Sequence, residues 1–134
     1  MPKPPERTQG FLTEFERLLV GKTCSIRRLE FSWAVSFAGG PGLMIEAPWR
    51  IVSNGRIAIS AYDDGQMFGL GAPLDAQAEA NRLLRGRVVL RASVDRETAD
   101  LTLQFDGGPR LDVFNNSAGH EGWQASGASI AGEV

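Results

Sequence analysis

Between residues 87 and 114, apolar side chains recur at every second position, and each run is cut short by a turn. Val88, Leu90, Ala92 and Val94 alternate with Arg87, Arg91 and Ser93; Leu101, Leu103 and Phe105 alternate with Thr102 and Gln104; Leu111 and Val113 flank Asp112. A strand sends successive side chains to opposite faces, whereas a helix repeats every three to four residues, so this spacing predicts strands with one buried face. The intervening segments "DRETAD" and "DGGP" are turn chemistry, and they are too short for a crossover helix. Three antiparallel neighbours in chain order, a meander, are expected here.

The same period appears nearer the start. Leu29, Phe31, Trp33, Val35 and Phe37 alternate with Glu30, Ser32, Ala34 and Ser36, which predicts one strand over 29–37. "AGGPG" at 38–42 is a loop. The apolar run from Leu43 to Ser53 contains Pro48, which donates nothing to a ladder, so a strand there is an edge, is bulged, or breaks. Asn54-Gly55 lies between apolar runs, and both positions of a tight hairpin turn need positive φ. Trp49–Val52 is therefore expected to pair with Arg56–Ser60. A last strand is expected to follow Trp123, with Ile130 as its inward residue.

Two segments carry helical spacing instead. In residues 10–20, Phe11, Leu12, Phe15, Leu18 and Leu19 fall on one side and Glu14, Glu16 and Arg17 on the other, with Gly21 at the end. In residues 75–86, Asp75 is the expected N-cap, Ala76, Ala80, Leu83 and Leu84 form the apolar side, and Gly86 closes the helix. Residues 1–9 hold three prolines and mixed charge and are expected to be a flexible tail. The expected fold is α+β in a single domain over residues 10–134: a mostly antiparallel sheet of about six to seven strands, curved or partly barrel-like, with two short helices.

Bulk properties narrow the function. With 43% hydrophobic and 22% charged residues in 134, the chain can bury a core without staples, which argues against disorder. The net charge of −2 gives no general attraction to nucleic acid or to an anionic membrane, so neither is expected as a partner. The one cysteine, Cys24, excludes an internal disulfide and a cysteine-based zinc site, and is expected as a small buried hydrophobe on a strand. Nothing in "MPKPPERTQG" resembles a signal sequence, and no window approaches the roughly 20 apolar residues that span a bilayer. The cytoplasm is the expected location.

The most unusual stretch is "VFNNSAGHEGW", residues 113–123. His120 is the only histidine, Glu121 is beside it, and Trp123 follows. A histidine with a carboxylate to orient it is the pair best suited to acid–base work near neutral pH. On a strand, adjacent residues point apart; in a turn they can converge. The alternative is a polar turn in which Gly119 and Gly122 take positive φ and Trp123 pins the next strand to the core, its indole N–H on a carbonyl. No nucleophile elbow, calcium loop or phosphate-binding glycine motif is present. Asp63-Asp64-Gly65 and the glycines at 39–42, 69–71 and 107–108 read as turns. Arg82, Arg85, Arg87 and Arg91 lie near the end of the second helix, where cations suit the free carbonyls. No catalytic residue, cofactor or metal ligand is assigned.

The segments "WRIVSNGRIAISAYDDGQMFGL" and "DLTLQFDGGPRLDVFNNSAGHEGWQ" resemble a family of small uncharacterised bacterial proteins. The shared features are a tryptophan-led hairpin, a D-G-Q-x-F-G-L segment, and an ending of the form D-L-x-L-x-F, L-x-V-F, S-x-G-x-E-x-W. The likeness covers roughly residues 43–124 and implies a common fold without a reaction; some such proteins resemble immunity proteins of toxin systems, which act by binding. Two readings result. One is a non-enzymatic binding or interaction protein, of toxin-immunity type, with a protein partner or a second copy of itself. The other is a small-molecule-binding protein or minor enzyme whose pocket lies near His120, Glu121 and Trp123.

Overall fold

The computed structural model describes residues 6–118 and 122–126. Helix α1 spans Glu6–Leu19 and α2 spans Ala76–Leu84. The strands are β1 Cys24–Arg28, β2 Trp33–Phe37, β3 Gly42–Ile45, β4 Trp49–Ser53, β5 Arg56–Ser60, β6 Val89–Val94, β7 Leu101–Phe105, β8 Arg110–Val113 and β9 Trp123–Ser126. The class is α+β and every pairing is antiparallel, as expected. Among the described residues the strands number nine and form two open sheets, not one sheet of six or seven that curls toward a barrel. One sheet has the order β1-β2-β3-β9 and the other β5-β4-β8-β7-β6. Helix α1 begins at Glu6, four residues before the expected start at Gly10.

Pro48 marks the change of sheet. Strand β3 ends at Ile45 in the first sheet and β4 starts at Trp49 in the second, so the apolar run 43–53 is broken at the proline. Backbone bonds pin both sides of the corner: Glu46 N donates to Gly122 O at 2.7 Å, and Phe114 N donates to Pro48 O at 2.9 Å. The Asn54-Gly55 turn forms with φ of 56° and 76°, and the hairpin pairs Ile51 with Ile59 and Ser53 with Arg56 around a bulge.

Two period-two readings shift. Residues 29–37 are not one strand: β1 and β2 pair as a hairpin from Cys24↔Phe37 to Arg28↔Trp33, and Leu29–Ser32 turn between them, with Leu29 N on Ser32 O at 2.8 Å. Phe31, expected inside, is 85% exposed at that turn. In β6, Leu90 is an extra residue between the pairs Val89↔Phe105 and Arg91↔Gln104. The bulge changes parity, so Val89 is buried with Val94 while Leu90 points to solvent.

One continuous core joins both sheets and both helices. Leu12, Phe15 and Leu19 of α1 and Ala76, Ala80 and Leu84 of α2 meet Ile26, Val35, Ile45, Trp49, Ile51, Leu101, Leu103 and Leu111. The helices also cover sheet edges. Glu16 of α1 accepts from Val94 N at 2.6 Å, and Gly21 and Lys22 bond to Val89, which closes the outer side of β6.

Candidate functional site

Two loops made by these hairpins converge over the corner at Pro48. The β1–β2 turn supplies Leu29, Glu30, Phe31 and Ser32, and the 3₁₀ turn Ala61–Asp63 after β5 supplies Ala61 and Tyr62. With Arg28, Trp33, Ile45, Glu46, Ala47, Pro48 and Asp64 they line an open cleft of about 500 Å³. Phe31 is 85% exposed and Tyr62 is 75% exposed, so two aromatic rings stand on the cleft without packing into the core. The chain beyond Tyr62 stays irregular. Gly65 N to Leu74 O and Leu74 N to Gln66 O, both 2.8 Å, close a loop that leaves Met67, Phe68 and Leu70 exposed. Phe68 has φ of 45°, a left-handed conformation that costs a bulky residue on the order of 1 kcal/mol.

Below the rim the cleft is polar and anchored. The Arg28 guanidinium grips Asp64 with two bonds, Nε to Oδ2 at 2.7 Å and Nη2 to Oδ1 at 2.6 Å, and its Nη2 also donates to Asp75 Oδ1 at 2.9 Å. Its central carbon lies 5.4 Å from the Trp33 ring centroid, within cation–π range. Trp33 in turn meets the Trp49 ring at 4.9 Å, nearly perpendicular at 85°. Trp49 is buried, and its Nε1 has no hydrogen-bond partner among the described residues.

The acids of this cluster also shape the second helix. Asp75 caps α2 by accepting from Ala78 N at 3.0 Å, and Asp64 accepts from Ala76 N at 3.0 Å. Two carboxylates thus sit at one helix N-terminus, and Arg28 offsets their repulsion. The Arg28 bonds hold the Asp64 carboxyl below its ordinary range, with the Ala76 amide assisting against partial burial. The Ala78 amide first, and Arg28 second, do the same for Asp75. Bonding to Asp64 raises the Arg28 guanidinium. Both acids are ionised at neutral pH and occupied as acceptors, which suits binding and positioning better than proton transfer.

Of the residues singled out in the sequence, His120 and Glu121 lie outside the described residues, as do Gly119 and Ile130. Trp123 is 4% exposed, stacks on Phe15 at 5.4 Å, and donates from Nε1 to Ala99 O at 2.6 Å. It is packed into the core and not presented to a ligand. Asn115 is anchored to the β6–β7 loop: its backbone N–H donates to Asp100 Oδ1 at 2.8 Å and its Nδ2 donates to Thr98 O at 2.9 Å. Asn115 Oδ1 accepts from Gly122 N at 2.9 Å. Gly122 does not take the expected positive φ; it is needed for close approach, because a Cβ there would stand 2.1 Å from Asn115 Oδ1 and 2.7 Å from Ala47 Cβ.

The remaining candidates have structural duties. Asp63 accepts from Ser60 N at 3.0 Å in the 3₁₀ turn. Arg87 donates to Leu83 O and Asp106 O, and Arg82 pairs with Glu79. Cys24 is half-buried on β1, and burial pushes its thiol up to about 12, so little thiolate exists at neutral pH. Among the described residues no group of three or more His, Cys, Asp or Glu is placed to hold a metal ion. No described helix is long and apolar enough to cross a membrane.

The sequence reading missed the cleft. Phe31 fitted the alternation too well, and only the pairing of β1 with β2 shows that it stands on a turn. Arg28 and Asp64 are brought together from 36 positions apart, which no local pattern reveals. In comparisons with known proteins, no family model, curated protein or solved structure matches the chain.

Proposed function

We propose that this is a cytoplasmic protein that acts by binding another protein, without catalysis, and that the Phe31–Tyr62 cleft is where the partner docks. The observation that carries the reading is the pair of exposed aromatic rings on one cleft. Large apolar side chains left in water cost stability that burial against a partner recovers, and aromatics dominate interface energies. Met67, Phe68 and Leu70 extend the exposed apolar surface along the adjoining loop. The floor supports a rigid receptor: Arg28, Asp64, Asp75 and Trp33 fix one another, so little ordering cost falls on binding. A toxin, the partner implied by the resemblance, is one case of such an occupant.

Panning a random peptide-display library on the purified protein tests this. The expected outcome is a set of peptides whose affinity falls about 10-fold or more when Phe31 and Tyr62 are both changed to alanine, the loss typical of interface aromatics. Both residues are exposed, so the variant keeps its circular dichroism and unfolding midpoint. Peptides that bind the variant and the parent equally well, or no selected peptides at all, overturn the proposal.

A further inference from the structure

Four charged side chains line the cleft, and three of them are carboxylates: Glu30, Glu46 and Asp64 against the single guanidinium of Arg28. That guanidinium is itself shared between Asp64 and Asp75. Leaving Glu46 aside, the carboxylates Asp64, Asp75 and Glu30 outnumber Arg28, so the electrostatic balance is negative where two exposed aromatic rings line the cleft. Carboxylates beside open aromatic faces make a receptor for cations: the acids supply charge, and the ring quadrupoles attract a positive group placed over their faces. A carboxylate or phosphate ligand would meet the opposite, since Glu30 repels it and Arg28 is already engaged.

The protein displays this chemistry internally. Arg28 lies over the Trp33 ring at 5.4 Å while two carboxylates hold its nitrogens. Phe31, Tyr62 and Glu30 supply the same ingredients among the residues that line the cleft, with Phe31 85% and Tyr62 75% exposed. A planar guanidinium suits such a place because it stacks on an aromatic face and donates sideways to a carboxylate at the same time.

We infer that the occupant of the cleft is a basic segment of a protein partner, which inserts an arginine or lysine side chain between Phe31 and Tyr62 with Glu30 as its counter-charge. This rests on the docking proposal above and names the chemical class of the partner. The cation enters over the aromatic rim; Asp64 stays bound to Arg28 and holds the floor in place.

The test uses the peptides selected on the protein. Sequencing is expected to show arginine or lysine enriched in the peptides that depend on Phe31 and Tyr62. Synthetic copies are then made with each arginine replaced by citrulline, its neutral isostere, and with each lysine acetylated. Binding by calorimetry is expected to weaken about 10-fold on neutralisation, the size of a partly desolvated cation–π contact with a counter-charge. Glu30→Gln is expected to shrink that difference several-fold, and added salt shrinks it in the same direction. If the selected peptides depend on Phe31 and Tyr62 but carry no basic enrichment, or bind as well when neutralised, the cationic occupant is overturned and the docking site stands. If none depends on Phe31 and Tyr62, the docking site fails and the occupant with it.

Discussion

The Asn81 side chain stands beside Ile26 in the place of a neighbouring strand. Asn81 Oδ1 accepts from Ile26 N and Asn81 Nδ2 donates to Ile26 O, each at 2.8 Å, and one helical turn earlier Gln77 Oε1 accepts from Arg28 N at 2.8 Å. The spacing matches because four residues of helix rise about 6 Å while two residues of strand advance about 6.6 Å. Helix α2 therefore runs antiparallel to β1 and closes the outer edge of the first sheet, which would otherwise offer unpaired backbone groups to another chain.

Changing Asn81 to leucine keeps the volume and removes both bonds. The backbone N–H and C=O of Ile26 then lose these partners, at a cost of about 2 kcal/mol. Urea unfolding followed by tryptophan fluorescence measures this. Arg82→Leu, one position on and exposed, is expected to change stability by less than about 0.5 kcal/mol. Equal values for the two variants would show that the edge is satisfied without Asn81. Light scattering is also expected to show self-association of the Asn81→Leu variant at high concentration.

Trp123 joins the last described strand to α1 by stacking on Phe15, and to the β6–β7 loop through Ala99 O. Trp123→Phe keeps a ring against Phe15 and loses the indole donor, with an expected cost of about 1–2 kcal/mol. Trp123→Ala leaves a large void and is expected to cost about 3–5 kcal/mol. A Trp123→Ala protein as stable as the parent would remove Trp123 from the core.

Local chemistry was readable wherever the decisive contacts are short-range. Asn54-Gly55 forced its hairpin, Asp75 capped α2, and the 101–105 strand kept the alternation expected of it, whereas in 110–113 Asp112 is buried along with Leu111 and Val113, paired with Arg50 and Arg110. Parity failed where an extra residue entered a ladder. Leu90 reads as inward by counting from Val88, yet the bulge turns it out, and only the partner strand determines this. Phe31 failed for the related reason that alternation does not say where a strand stops. The division into two sheets was hidden because Pro48 was compatible with an edge, a bulge or a break, and the choice depends on Glu46 and Phe114 bonding across the corner. The cleft was least legible of all, since it is made by two turns that meet only after both hairpins have formed.

Gly122 separates two explanations for a glycine at this position. If positive φ were the requirement, asparagine would be the mildest replacement. The requirement is space instead, because a Cβ would overlap Asn115 Oδ1 and Ala47 Cβ. Gly122→Ala is therefore expected to cost about 1–3 kcal/mol by overpacking, and Gly122→Asn more than that. Combining Gly122→Ala with Asn115→Ala, which removes the nearer obstacle, is expected to cost less than the sum of the two single changes. Strict additivity in thermal or urea unfolding would show that Asn115 is not what the new methyl group meets.

The Arg28 cluster ties stability to pH. The folded state holds Asp64 and Asp75 below their ordinary value of 3.8, so each binds its proton less readily folded than unfolded. Their contribution is fully present at neutral pH and is lost as pH falls through the ordinary carboxylate range, because the unfolded chain then takes up protons first. Removing Arg28 withdraws the leading cause at Asp64 and the second cause at Asp75, whose bond to Ala78 N remains. Arg28→Gln is therefore expected to lower stability at pH 7 and to flatten its decline between about pH 5 and pH 2. Because the guanidinium is partly exposed, the neutral-pH loss is expected to diminish in high salt. Urea unfolding across that range supplies the measurement. Parallel parent and variant curves would mean that Arg28 does not govern these two acids, and the rigid floor proposed for the docking cleft would lose its electrostatic basis.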